Sequence, residues 1–497
     1  MTKKANDYWI KRAHERSRAD IRASDEVIKS INEAFYNSLK QIEKEIATLF
    51  YRYSEDNELD YDLAIKLLTG NEYKSFRMEL EEYLGLIESS EILLELNTLS
   101  AKSRISHLEE SFFHIQKQID KVYLHQSEVM QELMKDSVQK NYYKSIFDVG
   151  KVVAGDAAIK EFHKLTINEI VKEFERPWSG KNFSERLWKN RTKLKDALEE
   201  EIIKMAVSGA NPEQAADTIA KKMDVAKRTA ATLVHTEQAY FSGFGSLKAY
   251  REMGVDKYIY IATLDMKTSD ICRDLDHEVF DVSQAQAGVN YPPMHPRCRS
   301  TTAPYTGELE GTRLARDKDG NSVRVDKSLS YKDWYEKYVA SAPEYLKEEK
   351  KWKNRYSDKK LHEKYRKIYG KDIPKSFEDF QKLKYNNSKE LEDIKFRHKL
   401  KESVFPSEKS LSGHFEKHRG KLGIDSKDEY LKQAQELLGK KESENISRYR
   451  TKNGRVVAYD NINNRIVIYS DGKIRSYMGP EKGVDYYKEQ YEKDVNG

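Results

Sequence analysis

Cys272, His295 and Cys298 are the residues whose types and spacing point most directly to chemistry. They fall in one stretch, 263–304, dense in Asp, Gly, Pro and Thr, and a loop of that length inside a domain needs something to fix it. His295 and Cys298 stand three apart in a turn stiffened by Pro292, Pro293 and Pro296. Zinc takes sulfur and nitrogen ligands tetrahedrally, and two thiolates with an imidazole supply three of the four donors. His277, Asp270 or Asp274 could supply the fourth. The plainer reading is two buried thiols, or a close thiol pair, with His295 hydrogen-bonded in the turn. No glutamate is placed as in a His-Glu-x-x-His helix, so structural zinc is favoured over catalytic zinc.

A second constellation lies near the C-terminal end. His414 and His418 are four apart on an expected helix, so both imidazoles point to one side. Such a pair can hold a metal. Beside a basic, hydroxyl-rich sheet it also suits RNA cleavage, one imidazole taking the 2′-hydroxyl proton and another donating to the leaving oxygen. Arg455, Lys473, Arg475, Ser476 and Tyr477 are the candidates on that sheet for stabilising charge on the phosphate. The competing reading is a surface helix with two solvated histidines and a basic strand.

The elements that must position these groups follow from composition and pattern. At 497 residues the chain has length for about three domains. Charged residues make up 34%, against a usual figure of about 25%, and the 38% hydrophobic share includes 32 tyrosines. One large buried core is thereby excluded. No run of about 18 apolar residues occurs, so no membrane-spanning helix is expected. The opening MTKKANDYWIKRAHERS has no apolar stretch behind its basic residues and does not read as a secretory signal. Two cysteines in such a chain are expected to stay reduced.

Residues 1–150 read as a helical scaffold. From Ile105, apolar residues recur at Leu108, Phe112, Ile115, Ile119, Val122, Val129 and Leu133, with Gln126 interrupting, which is a heptad-like seam on a long helix. It packs either within the chain or as an intermolecular coiled coil. Residues 151–310 continue helical, broken at Pro177–Gly180 and at Ser208–Pro212, where Asn211 can cap a helix opening on Pro212. The run Tyr258–Thr263 reads as a strand.

Residues 311–400 read as a charged connector. Within it, 351–400 holds 16 Lys and Arg against 8 Asp and Glu, on a chain whose total is only +5. Such a segment is a solvated spacer or an electrostatic handle for a polyanion. Tyr356, Tyr365, Tyr369 and Tyr385 interleave with the bases, which suits stacking on nucleic acid or local packing. Residues 401–497 regain globular character: helices over 413–422 and 426–438 precede strands at 455–459, 465–469 and 474–478. The fold class expected is multidomain, mainly α in the N-terminal and central regions with a small β- and loop-rich segment, and a small α+β domain at the end.

Three stretches resemble the phage minor head protein family, the head-morphogenesis proteins similar to protein F of phage Mu. They are Pro177–Trp188 (PWSGKNFSERLW), Leu233–Tyr240 (LVHTEQAY), and a third from Thr263-Leu264-Asp265 through Thr268–Cys272 to Pro292–Arg299. The family's last motif usually reads His-Pro-x-Cys-Arg-Cys, whereas Ser300 stands where the final cysteine would be. The resemblance therefore implies the fold more strongly than a complete metal site. It implies a minor capsid component near the portal or inside the head, made in the host cytoplasm, with portal and major capsid proteins and viral double-stranded DNA as partners. Roles in head morphogenesis, DNA packaging or DNA ejection follow from it.

A further resemblance covers about 405–495. His414–His418, Ser426–Leu431 and Gly472–Pro480 look like the barnase–EndoU–colicin–RelE type of RNase domain. That resemblance implies His414 or His418 with Arg475 and Ser476 as active-site positions. The domain then either grips nucleic acid or cleaves RNA as an effector ejected with the genome into the host cell.

Overall fold

The computed structural model describes residues 4–53, 65–153, 162–208, 212–305, 307 and 311–496. Two compact units divide the chain, Met1–Ala342 and Pro343–Gly497.

The first unit is built on four long helices: α1 (Lys4–Tyr53), α4 (His107–Val153), α6 (Phe183–Ser208) and α7 (Pro212–Glu252). Shorter helices α2 (Gly70–Leu84), α3 (Ser90–Ser100) and α5 (Ile167–Phe174) complete it. α1, α4 and α7 pack on one another, and α6 lies against α4 and α7. The seam expected on α4 is real and is satisfied within the chain. Leu108, Ile115, Ile119, Val122 and Leu133 share a core with Ile31, Phe35, Ile42 and Ile46 of α1. α4 is also buried beyond that seam, through Tyr123, Met130, Met134, Val138 and Tyr142, because it has neighbours on more than one side. It runs unbroken past residue 150, so no boundary between compact units falls there. The expected cap Asn211 lies outside the described residues, although α7 does open on Pro212.

α4 and α7 approach closely at Gly245. A Cβ built there would lie 2.5 Å from the Val138 carbonyl oxygen and 3.2 Å from the Tyr142 nitrogen. Glycine inside a helix costs roughly 1 kcal/mol relative to alanine, and the close backbone contact explains why it stands there.

Beyond α7 the chain forms a three-stranded antiparallel sheet in the order β2-β1-β3, from β1 (Lys257–Ile261), β2 (Val279–Asp281) and β3 (Thr301–Pro304). β1 and β3 pair from Tyr258↔Pro304 to Ile261↔Thr301. The excursion between them carries the short helix α8 (Asp270–Asp274) and the Cys-His turn. A hairpin of β4 (Thr312–Arg316) and β5 (Ser322–Asp326) follows, then α9 (Tyr331–Trp334). Trp9, Ile10 and Ala13 of α1 pack on Ile259, Ile261 and Ala303 of the sheet.

The stretch expected to be a charged connector is structured. Its first part is the β4–β5 hairpin and α9. Its second part opens the second unit as α10 (Pro343–Lys353), α11 (Arg355–Tyr369), α12 (Phe377–Asn386) and α13 (Ser388–Leu400). Ile373, Phe380, Leu383, Leu391 and Ile394 form a small core, with Leu361, Tyr365 and Tyr369 packed against it. Asp358, fully buried, accepts from Tyr385 Oη at 2.9 Å and Gln381 Nε2 at 3.1 Å and pairs with Lys384. The apolar positions are sparse and interleaved with charged residues, so charge counting alone hid the stripe.

The rest of this unit follows the expected order. α14 (Glu408–Leu422) and α15 (Lys427–Gly439) precede a meander of β6 (Ile446–Arg450), β7 (Val456–Asp460), β8 (Arg465–Ser470) and β9 (Lys473–Met478), then α16 (Val484–Tyr491). Ser426 caps α15 by accepting from the Glu429 amide, and Gly423 closes α14 in the left-handed region at φ 65°. Val456, Ala458, Val467, Ile474 and Tyr477 share one core with residues of α14 and α15. Val457, Tyr459, Ile466, Ile468 and Met478 belong to another, with Tyr486 and Tyr487 of α16. β6 and α16 were not anticipated.

Gly245→Ala should lower unfolding stability by about 1–3 kcal/mol through overpacking. Gly413→Ala, in a helix with nothing within 4 Å of the added carbon, should instead be neutral or stabilising. Denaturant midpoints of the two variants check the contrast.

Candidate functional site

The three sequence-quoted stretches of the first unit interlock through a few buried polar groups. Asn182 caps α6 reciprocally with Glu185, both hydrogen bonds being 2.8 Å, and this sets the turn that carries Trp178. Trp178 Nε1 donates to Glu237 Oε2 of α7 at 3.1 Å, and Arg186 of α6 pairs with the other carboxylate oxygen. Trp178 also stacks on Tyr240, ring centroids 4.5 Å apart. Glu237 is therefore the joint between the first stretch and the second. At the preceding residue, Thr236 Oγ1 accepts from the Arg297 backbone amide at 3.1 Å, and one turn before that Thr232 Oγ1 accepts from Arg297 Nε at 3.0 Å. Arg297 sits at φ 59°, an unusual conformation for a residue with a side chain, and these bonds hold it there. The turn they shape returns the chain so that Cys298 faces Cys272.

The cluster itself is compact. Cys272 Sγ lies 3.3 Å from His295 Nε2 and 3.7 Å from Cys298 Sγ. Tyr260 of β1 donates its hydroxyl to Cys272 Sγ at 3.2 Å. His295 Nδ1 is 2.9 Å from the Pro296 carbonyl oxygen, which directs Nε2 toward the sulfurs. Both cysteines are buried and free, since 3.7 Å is far beyond a disulfide bond of about 2.05 Å. The Cys298 thiol donating to Cys272, and the His295 imidazole beside it, hold the Cys272 thiol well below its ordinary range. The proton stays on Cys298, whose thiol is pushed up by its neighbour and by burial. His295 is raised, chiefly by its bond to Cys272.

Among the described residues these three form the one group of His, Cys, Asp or Glu whose donor atoms converge, all within 4.8 Å. The fourth donors considered from sequence do not join it. Asp270 and Asp274 are exposed, Asp270 lying against Arg273. His277 is turned away, its Nε2 2.6 Å from Arg313 Nη1. Ser300 stands in the place of the missing cysteine, and the Tyr260 hydroxyl is a protein oxygen directly at the cluster.

Around the cluster, two buried ion pairs fix the excursion. Asp276 and Arg313 are both fully buried and joined by two hydrogen bonds of 2.8 and 2.9 Å. Asp276 also accepts from the amides of Ala262 and Tyr331, each at 2.7 Å, while Arg313 donates to the Ala262 carbonyl at 2.7 Å. Asp265 takes a bidentate pair from Arg299. Burial opposes the Asp265 carboxylate, but Arg299 outweighs it and holds the pKa below the usual range. Glu237, Asp276 and Arg313 received no role from sequence. Their spacing carries no signature, because their partners are 37 to 59 positions away.

Residues 195–303 match a family model, Phage Mu protein F like protein. The match supports a phage head-morphogenesis protein, and with it capsid-assembly partners and a virion-associated place. No curated protein and no solved structure gives a significant match to the chain. The Mu F-like segment contains the second and third stretches and the whole cysteine cluster. Pro177–Trp188 precedes it and is tied to it through Glu237. No helix among the described residues is long and apolar enough to cross a membrane.

In the second unit the candidates are placed differently. His414 and His418 share one side of α14 with ring centroids 6.1 Å apart, and His414 lies 5.5 Å from Phe405. Burial, followed by Lys417, lowers both imidazole pKa values. Arg475 is exposed in the irregular part of β9 and bonds the Ser470 carbonyl and Asp471. Ser476 is paired in register with Ile468. Arg455 binds Asp494 and Gln490 near α16, and Tyr477 Oη donates to Gln433. Among the described residues, no hydrogen bond, ion pair or ring contact joins either histidine to Arg475, Ser476, Arg455 or Lys473.

The pH dependence of the first unit has a defined sign. Burial, aided by Arg313, pushes His277 down to about 4. In the unfolded chain a histidine titrates near 6.5, so between those values the unfolded state takes the proton and the folded state does not. Stability is present above the unfolded value and is lost as pH falls through this window. His277→Gln should flatten that loss, read as denaturant midpoints from pH 7.5 to 4.5; parallel profiles would refute it.

Proposed function

We propose that the chain is a minor capsid protein of a phage head, placed near the portal or inside the capsid. Its helical unit aids head morphogenesis and DNA packaging or ejection, with portal and major capsid proteins as partners. The observation that carries this is the Mu F-like match at 195–303, together with the way the outlying Pro177–Trp188 stretch closes on that segment at Glu237. Contact with viral double-stranded DNA draws support from two basic surfaces. One is the net-positive 351–400 region. The other is a groove between α6 and α7, of about 550 Å³, bearing Lys181, Lys189, Lys193 and Arg228. Phosphate contacts there would be independent of sequence and sensitive to salt. Purified mature particles should contain the chain at a few copies each by quantitative mass spectrometry. Its absence from mature heads would overturn the assignment.

Structural zinc at Cys272, His295 and Cys298 is part of the same reading. Tetrahedral ligands at typical zinc distances put two sulfurs about 3.8 Å apart and sulfur and nitrogen about 3.6 Å apart. The 3.7 and 3.3 Å separations fit that set, and the bond from His295 Nδ1 to a carbonyl is the usual outer support for such a ligand. Ser300 or a solvent molecule would complete the shell. The ion would staple the excursion and supply no reaction. Metal analysis of the purified chain should find about one equivalent of zinc, largely lost in Cys298→Ser; a metal-free, fully folded wild type would exclude it.

The small α+β domain at the C-terminal end we assign to nucleic-acid binding. The alternative, a metal-independent RNase using His414 and His418 as acid and base, needs Arg475 and Ser476 beside them, and the Arg475 side chain is engaged by the Ser470 carbonyl and Asp471. tRNA incubated with the full chain across pH 5–8 should stay intact. Cleavage that vanishes in His414→Ala or His418→Ala would establish the enzyme instead.

A further inference from the structure

Arg18 of α1 reaches the β4–β5 hairpin and donates from Nη2 to the Ser322 hydroxyl at 3.2 Å. Arg316 of β4 donates from Nη1 to the same hydroxyl at 2.5 Å. Two guanidinium groups thus converge on one small neutral side chain. Both also line a cavity of about 80 Å³ bounded by α1, β1, β3 and β4. Hydroxyls of Ser17, Thr263 and Thr301 line it as well, and no carboxylate does so among the described residues.

The charge balance of this cavity is unusual for a protein interior. Arg299, at its back, is neutralised by Asp265. Arg18 makes no ion pair among the described residues. After burial, the groups that act on it are further cations, Arg316, Arg22 and Arg324, and together they lower its pKa. His14 also lines the space, and its Nε2 is covered without a hydrogen-bond partner among the described residues. Burial and Arg313 hold that ring neutral, its pKa pushed down to about 3. Like charges brought together in a partly enclosed site cost free energy unless an anion joins them.

We propose that this cavity binds a tetrahedral oxyanion of the phosphate type, held by Arg18 and Arg316 with the hydroxyls of Ser17 and Thr301; the Thr263 hydroxyl is already given to the Arg299 carbonyl. Guanidinium forks match phosphate oxygens in pairs, and hydroxyls turn to donate where they are needed. The volume suits the ion. A water's share of liquid is about 30 Å³, so the space holds a phosphate group and excludes a nucleobase with its sugar. The phosphate can be free in solution or one group of a nucleic-acid backbone. The site does not depend on the capsid assignment, since it is read from the cavity alone.

Calorimetric titration of the full chain with inorganic phosphate, at constant ionic strength, tests it. Wild type should bind one phosphate saturably, with sulfate competing, and Arg18→Gln should weaken binding about tenfold or more. Arg22→Gln, whose side chain does not line the cavity, should leave binding within about twofold, as expected for an exposed charge acting through solvent. A single-stranded oligonucleotide that displaces the phosphate, and loses affinity in Arg18→Gln, assigns the backbone source. Failure to displace it assigns free phosphate. No saturable binding by wild type overturns the proposal, as does equal affinity in a folded Arg18→Gln. Should that variant not fold, Ser17→Ala must weaken phosphate binding in the same direction, and unchanged affinity there overturns it too.

Discussion

The Asp276–Arg313 pair is the interaction on which the cysteine excursion depends. Two opposite charges with no exposed surface would each be costly alone, and together they are tolerable because both carboxylate oxygens and both terminal guanidinium nitrogens are hydrogen-bonded, Nε alone being left without a partner among the described residues. Asp276 accepts from the guanidinium and from the amides of Ala262 and Tyr331, while Arg313 spans to the Ala262 carbonyl and to His277. The end of β1, the strand β4 and the start of α9 thereby meet at one point. Removing one partner would leave a buried charge, a loss typically about 3–5 kcal/mol. Such a pair specifies geometry more than it stabilises, and the geometry it specifies is the frame around Cys272.

The helical body supplies a different constraint. α4 and α7 touch backbone to backbone at Gly245, so their relative depth is set by sterics and not by side-chain choice. Glu237 and Thr236 then project from α7 at fixed height, one receiving Trp178 and Arg186, the other the Arg297 amide. The Mu F-like segment is thus half helix and half loop, with the helix acting as the template on which the loop is pinned.

How much of this was legible in the sequence depended on the range of the interactions. Periodic features were readable: the seam on α4, the strand at Tyr258, the helix opening on Pro212 and the three strands of the C-terminal meander all follow from local spacing. The cluster of Cys272, His295 and Cys298 was readable because few residue types have that chemistry. The buried pairs were not, since Glu237 looks like any helical glutamate until Trp178 arrives from 59 positions away. The 351–400 region misled for another reason. Its stripe is built from widely spaced aliphatic and aromatic residues among lysines, and its best-buried polar group, Asp358, counts as surface charge in any composition.

The stretch that carries the cluster runs from Ile261 to Thr301, touching the sheet between them only as β2, and those two residues are register partners on neighbouring strands. Its ends are therefore held together whatever lies between them. Loop-closure cost grows only as the logarithm of length, about 0.6 kcal/mol for each doubling. The cysteine loop is in this sense a cassette: a third thiol at position 300, or residues inserted ahead of His295, would leave the pairing of its two ends as it is.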